Sequence, residues 1–233
     1  MLNSIRDALP PVHREGWPYL AVTGALAILF IFVFPPLYWV LSILFGWMVV
    51  FFRDPVRIVP TAPGLVVSPA DGRVEPIARV IPPPELGLGA NRLSRVSIFM
   101  NVFDCHINRT PIAGRVSRIA YKAGKFLSAD LDKASEANER NGLVIAADAG
   151  HDVGVVQIAG LVARRIVCWT KEGAALGAGE RIGMIRFGSR VDVYLPEGST
   201  IVASAGQRAI AGETLIAVLP GAHLSPPFPT RRE

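Results

Sequence analysis

The stretch "IRFGSRVDVYLP" (185–196) contains a glycine and a serine where a continuous β-strand would otherwise run. Strand-like residues precede Gly188-Ser189, and the alternation of apolar and polar residues resumes at Val191, as in a half-buried strand. One interpretation is a β-bulge or bend, because glycine inside a strand often marks one. The other is a strained peptide bond beside a nucleophilic hydroxyl, that of Ser189.

Three more side chains with reactive or charged groups lie in two earlier segments. The segment "VVSPADGRV" (66–74) places Asp71 in a turn after an apolar strand, although Asp-Gly is also a common turn pair. The segment "SIFMNVFDCHINRTPIAGRV" (97–116) contains His106, whose imidazole titrates near neutrality, and Arg109. An ordinary core or surface role for His106 stays open. The planar guanidinium of Arg109 suits a phosphate or a carboxylate.

The residues that follow Pro60 form short β-rich runs separated by glycine and proline, which predicts a mostly β domain over residues 61–233. Two segments, "SPADGRV" (68–74) and "TPIAGRV" (110–116), share a Ser/Thr-Pro-x-x-Gly-Arg-Val frame. Such repetition suggests a sandwich or barrel of similar β-units, as in biotinyl and lipoyl carrier domains, although turn chemistry alone also produces it. Since 51% of the 233 residues are hydrophobic, a sizeable core is expected.

An uncharged stretch from Gly16 to Phe52 precedes this domain. Pro35-Pro36 divides it into two apolar halves of 16 residues, 19–34 and 37–52, which predicts a helical hairpin within an N-terminal region of residues 1–60. Each helix would be about 24 Å long, against a hydrocarbon core of about 30 Å. Basic residues flank both ends: Arg6, Arg14, Arg53 and Arg57. The positive-inside rule then places both ends in the cytoplasm. The alternative is a buried core hairpin of a soluble protein.

The formal net charge of +5 indicates an anionic partner, either nucleic acid or an anionic membrane surface. The apolar hairpin favours the membrane, so no nucleic-acid partner is predicted. Cys105 and Cys168 are too few for a disulfide framework and lack CxxC spacing, which favours reduced thiols in a cytosolic domain. The four histidines are scattered without ligand spacing, so no metal site is predicted.

The segments that contain Asp71, His106 and Gly188-Ser189, with "NER" (138–140) between them, together resemble a phosphatidylserine decarboxylase of the short, pyruvoyl-dependent proenzyme type. The resemblance runs in order from Arg53 to the C-terminal region. It implies that the Ser189 hydroxyl attacks the carbonyl of Gly188, that the resulting ester eliminates, and that hydrolysis leaves a covalent pyruvoyl group. A glycine at 188 leaves that carbonyl unhindered. The two product chains, 1–188 and 189–233, would remain associated.

The resemblance also implies that Asp71, His106 and Ser189 form a triad-like catalytic set, in which a carboxylate and a histidine activate the hydroxyl. Longer bacterial relatives carry a second histidine three residues after the first, where this chain has Arg109. Three roles therefore stay open for His106: base in self-cleavage, acid that protonates the decarboxylated carbon, or both in turn. Arg109 does not act as a base at neutral pH and is a candidate for binding substrate.

The implied reaction is the pyruvoyl-dependent decarboxylation of phosphatidylserine to phosphatidylethanolamine. The expected partners are the anionic phospholipid and the cell membrane, with the catalytic domain on the cytoplasmic side, and a homo-oligomer is compatible with this function. A second hypothesis is a non-enzymatic, membrane-tethered β-domain, such as an adaptor of a transport system. That hypothesis predicts a long coiled-coil heptad region, which the sequence lacks, and it leaves Gly188-Ser189 without a purpose.

Overall fold

The computed structural model describes residues 10–124, 138–160, 165–186, 189–222 and 228–233. The chain is mostly β, with 40% strand and 20% helix, and this confirms the predicted fold class. It divides into two compact units. The first unit comprises Met1–Val56 and Val102–Cys105, and the second comprises Arg57–Asn101 and His106–Glu233.

Two apolar α-helices dominate the first unit. Helix α1 spans Trp17–Val33 and helix α2 spans Pro35–Phe51, after a short 3₁₀ helix over Arg14–Gly16. Helix α1 ends where it does because a proline disfavours helical geometry at the residue before it, and Phe34 is extended, with φ −153° and ψ 85°. Pro35 then begins α2, because the first helical turn needs no N–H donor. The two predicted helices and the break between them are confirmed.

Apolar side chains cover both helices, and many are exposed, among them Ile28 (74%), Phe32 (92%) and Ile43 (73%). The helical segment Arg14–Val33 has the length and composition needed to cross a membrane, whereas α2 is shorter. The other end of the hairpin is packed within the unit: Phe52 is fully buried and stacks on the Tyr19 ring at 5.3 Å. The hairpin therefore exposes apolar side chains along its two helices and packs aromatic side chains at its base.

The loop Val102–Cys105 is hydrogen-bonded to the base of the hairpin. The Trp47 indole N–H donates to the carbonyl of Val102 at 3.2 Å. Arg53 donates to the carbonyl of Phe103 at 3.0 Å, and its own carbonyl accepts from the Cys105 thiol at 3.2 Å. These bonds explain why the loop belongs to the first unit, although the β-strands on either side of it in sequence belong to the second.

The second unit contains the strands and a 3₁₀ helix over Pro84–Leu86. In chain order, the described strands β1 to β17 are Ile58–Pro60, Leu65–Val67, Gly72–Val74, Ala78–Val80, Leu93–Met100, Ile107–Arg109, Gly114–Lys122, Arg140–Ala147, Asp152–Ala159, Ile166–Cys168, Ala175–Leu176, Arg181–Ile185, Ser189–Leu195, Thr200–Ile201, Arg208–Ala209, Leu215–Val218 and Thr230–Arg232.

The largest sheet contains nine of these strands, in the order β11-β7-β8-β9-β13-β5-β3-β15, with β4 beside β5. Two sheets of three strands follow the orders β10-β12-β6 and β14-β16-β2, and β1 pairs with β17. Each of these pairings is antiparallel. Strand β13 lies inside the large sheet, joined to β5 by seven register pairs and to β9 by six.

Both faces of β13 are buried, so the prediction of a half-buried strand is wrong. One face carries Val191 and Val193, which belong to the main apolar core. The other face carries Asp192, which is fully buried and lies 2.8 Å from the guanidinium of Arg190. A buried carboxylate requires such a partner. The alternation in the sequence therefore comes from a buried ion pair and does not mark a solvent-exposed face.

Both copies of the Gly-Arg-Val frame begin a strand where two backbones approach closely. Gly72 starts β3 and Gly114 starts β7. A methyl group added to Gly72 would overlap the carbonyl oxygen of Phe99, and one added to Gly114 would overlap that of Ala146. The same packing requirement for glycine thus accounts for the resemblance between the two segments.

We expect Gly114→Ala to lower the free energy of unfolding by about 2–3 kcal/mol, because the added carbon meets backbone that cannot rotate away. Gly150→Ala is the matched control: its added carbon meets open space, and only the positive φ of 82° costs stability, about 1 kcal/mol. Denaturant unfolding of both variants measures the difference. A loss for Gly114→Ala no larger than that of the control would contradict the packing argument.

Candidate active site

Ser189 is the first residue of β13 and its side chain is fully buried. Its register partners are Met100 at the end of β5 and Ala159 at the end of β9. The hydroxyl donates a long, weak hydrogen bond to the thioether sulfur of Met100, with Oγ and Sδ 3.9 Å apart. Gly188, the other half of the predicted cleavage site, lies outside the described residues. The serine is therefore held at the start of a paired strand, in apolar surroundings.

Asp71 immediately precedes β3 and is 6% exposed. One guanidinium nitrogen of Arg57, Nη2, donates to both carboxylate oxygens, at 2.7 and 2.9 Å. The backbone N–H of Ala211 donates to one of the same oxygens at 2.8 Å. These hydrogen bonds fix the carboxylate in one orientation. The turn interpretation and the functional interpretation are thus compatible, since Asp71 ends a loop and is also a buried, paired carboxylate.

His106 is fully buried and immediately precedes β6. Strand β6 pairs with β12, where Ile107 lies opposite Met184. This register places His106 beside the end of β12 at Ile185, from which the sequence continues to the predicted cleavage site. Complete burial excludes the interpretation of His106 as a surface histidine.

The two strands that begin near Asp71 and Ser189 share one neighbour. Arg73 on β3 and Arg190 on β13 are both register partners of Phe99 on β5. Because both strands run antiparallel to β5, they start at the same edge of the sheet, two strand spacings or about 10 Å apart. The hydrogen bonds of Asp71 and of Ser189 within the described ranges do not join these side chains to each other or to His106. Asp71 and Ser189 thus lie at one edge of the sheet, without a direct hydrogen bond between them.

Arg109, the predicted substrate-binding residue, is only 1% exposed. Its guanidinium donates to the carbonyl of Gly179 at 2.9 Å, and its backbone N–H donates to the carbonyl of Pro69 at 2.8 Å. Its side chain therefore lies inside the second unit, close to the loop that carries Asp71. Substrate binding by this residue stays a prediction.

The sequence did not single out two polar side chains that are linked to Ser189 through Met100. The side-chain amide of Asn108 donates to the same Met100 sulfur, with Nδ2 and Sδ 3.6 Å apart. The carbonyl oxygen of Asn108 accepts from the Gln157 amide at 2.8 Å. Both amides are fully buried. No sequence pattern points to the contact of Met100 with Ser189, through which the amides are linked to the serine, because these two residues are 89 residues apart in the chain.

A cavity of about 690 Å³ lies on the face of the nine-stranded sheet opposite to the Ser189 side chain. Its lining includes Arg95, Lys122 and Tyr194. Tyr194 is about 17 Å along β13 from Ser189, at the rise of an antiparallel strand. Burial raises the pKa of the Tyr194 phenol above its ordinary value, and the negative charge of Asp192 raises it further. Since Asp71, His106 and Ser189 are not among the described lining residues, this cavity is not the predicted reaction centre.

Comparison with known families decides between an enzyme and a tethered binding module. The family model described as phosphatidylserine decarboxylase matches residues 44–217, which are 174 of the 233 residues. The chain belongs to the phosphatidylserine decarboxylase family. The match contains Asp71, His106, Arg109 and the Gly188-Ser189 pair. Nothing in the chain favours the adaptor hypothesis.

Membership in the phosphatidylserine decarboxylase family makes the protein a decarboxylase of phospholipid biosynthesis. A decarboxylase has to stabilise the electron pair that remains when CO₂ leaves. The family also implies a phospholipid as the substrate. A phosphatidylserine decarboxylase thus needs an electron sink and access to lipid. The buried serine is relevant to the first requirement and the apolar hairpin to the second.

For this phosphatidylserine decarboxylase we expect Asp71→Asn to lower the free energy of unfolding by about 3 kcal/mol, because Arg57 would lose the charge that compensates its burial. The matched control is Glu197→Gln, which also neutralises the carboxylate of an ion pair. In that pair the side chains of Arg79 and Glu197 are 62% and 74% accessible, so the free energy of unfolding should fall by less than about 1 kcal/mol. Denaturant unfolding measures both. Equal losses in the two variants would contradict the structural importance of the buried pair.

Proposed function

We propose that this decarboxylase is a proenzyme that cuts its own chain between Gly188 and Ser189 and then decarboxylates phosphatidylserine to phosphatidylethanolamine with the resulting pyruvoyl group. One observation carries the proposal: Ser189 is a buried serine at the first position of a strand that is paired on both edges. The register pairs from Arg190 onward, with β5 and with β9, involve neither the peptide bond before Ser189 nor the nitrogen that is lost. The new terminus would therefore stay in place after cleavage.

The proposed cleavage balances without an external oxidant or reductant. The Ser189 hydroxyl oxygen forms an ester bond with the carbonyl carbon of Gly188, the C–N bond to Ser189 breaks, and the nitrogen takes up a proton. A base then removes the α-proton of residue 189, and the Gly188 carboxylate leaves. Water replaces the nitrogen of the resulting dehydroalanine, ammonia is released, and a ketone remains. Activation of a serine hydroxyl by a neighbouring base is the usual way to start such a sequence.

The surroundings of Ser189 suit a pyruvoyl group, which is small and uncharged. Met100 and Ala159 supply an apolar wall, and the buried amide of Asn108 contacts the Met100 sulfur. When present, the pyruvoyl group supplies a carbonyl that accepts the electron pair released with CO₂. Residue 189 is fully buried, so the ketone would form among apolar side chains.

In this proposal, His106 and Asp71 prepare the groups that react at Ser189. His106 carries an imidazole, the side chain that most often acts in general acid–base steps, and is proposed to take or give a proton either in cleavage or at the decarboxylated carbon. Asp71 keeps an anionic charge at the shared edge of the sheet, held by Arg57 and the Ala211 N–H. The guanidinium of Arg109 is proposed to hold the phosphate or carboxylate of the substrate.

We further propose that the hairpin holds the enzyme at the membrane where its substrate is dissolved. The exposed apolar surface of α1 and α2 supports this role, because a soluble protein rarely leaves such a surface uncovered. Arginines on both sides of the hairpin favour a cytoplasmic position for both ends. A homo-oligomer of the cleaved chains is compatible with this arrangement.

The purified protein should run as two chains in denaturing electrophoresis, and the chain that starts at residue 189 should react with a carbonyl reagent. Ser189→Ala should give one uncut chain, because both the attacking oxygen and the source of the ketone are lost. Ser97→Ala is the matched control, a buried strand serine on β5 whose removal should leave cleavage intact. Normal cleavage of Ser189→Ala would exclude the proposed mechanism.

Removing residues 1–46 should abolish flotation with anionic vesicles at high salt, since only screened surface charges would remain to bind lipid. The truncated chain keeps Trp47 and Arg53, which hold the loop Val102–Cys105, so cleavage at residue 189 should persist. The untruncated protein is the control. A truncated protein that still floats at high salt would show that the hairpin is not the anchor.

A further inference from the structure

Three buried side-chain amides form a directed chain of hydrogen bonds that ends beside Ser189. Asn141 Nδ2 donates to Gln157 Oε1 at 2.9 Å, and Gln157 Nε2 donates to Asn108 Oδ1 at 2.8 Å. Their residues are 3%, 0% and 0% exposed, in that order. Buried amides are costly unless they are hydrogen-bonded, and this chain uses the carbonyl oxygens of Gln157 and Asn108.

The chain connects two sheets. Asn141 on β8 and Gln157 on β9 are register partners in the nine-stranded sheet. Asn108 lies on β6, which belongs to the three-stranded sheet β10-β12-β6. The bond from Gln157 to Asn108 thus fixes a side chain of the small sheet against the sheet that contains Ser189.

The orientation of the Asn108 amide follows from these bonds. Its oxygen accepts from Gln157, so its NH₂ group has to face Met100, where Nδ2 lies 3.6 Å from Sδ. The Ser189 hydroxyl lies 3.9 Å from the same sulfur. A thioether is a weak acceptor and a flexible side chain, so by itself it would hold a serine loosely. Two donors on one sulfur restrict both the methionine and the hydroxyl.

We propose that Asn108 is a positioning residue for self-cleavage at Ser189: oriented by Gln157 and Asn141, its amide holds the Met100 sulfur against the serine hydroxyl and so selects one rotamer of Ser189. This inference rests on the proposed function, because it assigns a role in the cleavage step. Attack on the preceding carbonyl requires a single orientation of the hydroxyl, and a serine side chain has three staggered ones. The alternative is that the amide chain only joins the two sheets.

The test is the rate of self-cleavage after cell-free synthesis of the full chain, followed by denaturing electrophoresis. Asn108→Asp keeps an oxygen for Gln157 but replaces the donor that faces Met100. Gln157→Glu keeps the acceptor for Asn141 but removes the donor that orients Asn108. Each variant should cleave about 10- to 100-fold more slowly than the parent, the range expected for a misplaced reacting group.

The control is Val218→Ala, a cavity-forming substitution at a residue that is 4% exposed and lies on β16, in the sheet β14-β16-β2. It should lower the thermal unfolding midpoint at least as much as Asn108→Asp does, because it leaves a cavity in the core, yet cleave within about twofold of the parent. A purely structural role predicts that cleavage rates follow the unfolding midpoints in all variants. Only a positioning role separates the two quantities.

The inference is overturned if Asn108→Asp and Gln157→Glu cleave within twofold of the parent, or if the cleavage rates of these variants and of Val218→Ala fall in proportion to their unfolding midpoints. If Asn108→Asp does not fold, Gln157→Glu decides the outcome in the same way. Ser189→Ala marks the position of the uncut chain in this assay, and the parent chain then distinguishes this failure from failure of the proposed function. An uncut parent chain would refute the proposed function and this inference together, whereas a cut parent with normal Asn108 and Gln157 variants refutes this inference alone.

Discussion

The double-sided pairing of β13 is the constraint on which the rest of the structure depends. Its first residue is Ser189, and β5 and β9 hold the strand on its two edges. Burial of both faces requires an apolar core on one side and the Arg190–Asp192 ion pair on the other. A strand held in this way keeps its first residue in place whether or not the chain continues before it. That property suits a group that is both the end of a chain and a reaction centre.

The same strand explains how distant parts of the sequence come together. Because β3 and β13 flank β5, Asp71 and Ser189 start at one edge of the sheet although more than a hundred residues separate them. Asp71 is fixed there by Arg57, and His106 enters from the small sheet beside β12. The protein thus assembles its candidate site from strand ends, where backbone pairing sets positions more firmly than a loop would.

Much of this arrangement could be predicted from the sequence, because strong local signals produce it. The uncharged run interrupted by Pro35 specified two helices, and the β-rich composition specified the fold class. The burial of both faces of β13 was not predictable, because alternation cannot distinguish solvent from a buried ion pair. The link between Asn108 and Gln157 was not predictable either, since 49 residues separate them and the two residues lie in different sheets. Local patterns specify elements, whereas contacts between strands depend on the whole topology.

The central claim is that Ser189 becomes the modified first residue of a second chain, and intact-mass analysis of the purified protein tests it most directly. The account predicts two species that divide the sequence between Gly188 and Ser189. The C-terminal species should be lighter by one NH₃ than a chain beginning with unmodified serine, because a ketone replaces the amine and the hydroxyl oxygen leaves with Gly188. A single species at the full mass in a preparation that decarboxylates phosphatidylserine would contradict the account.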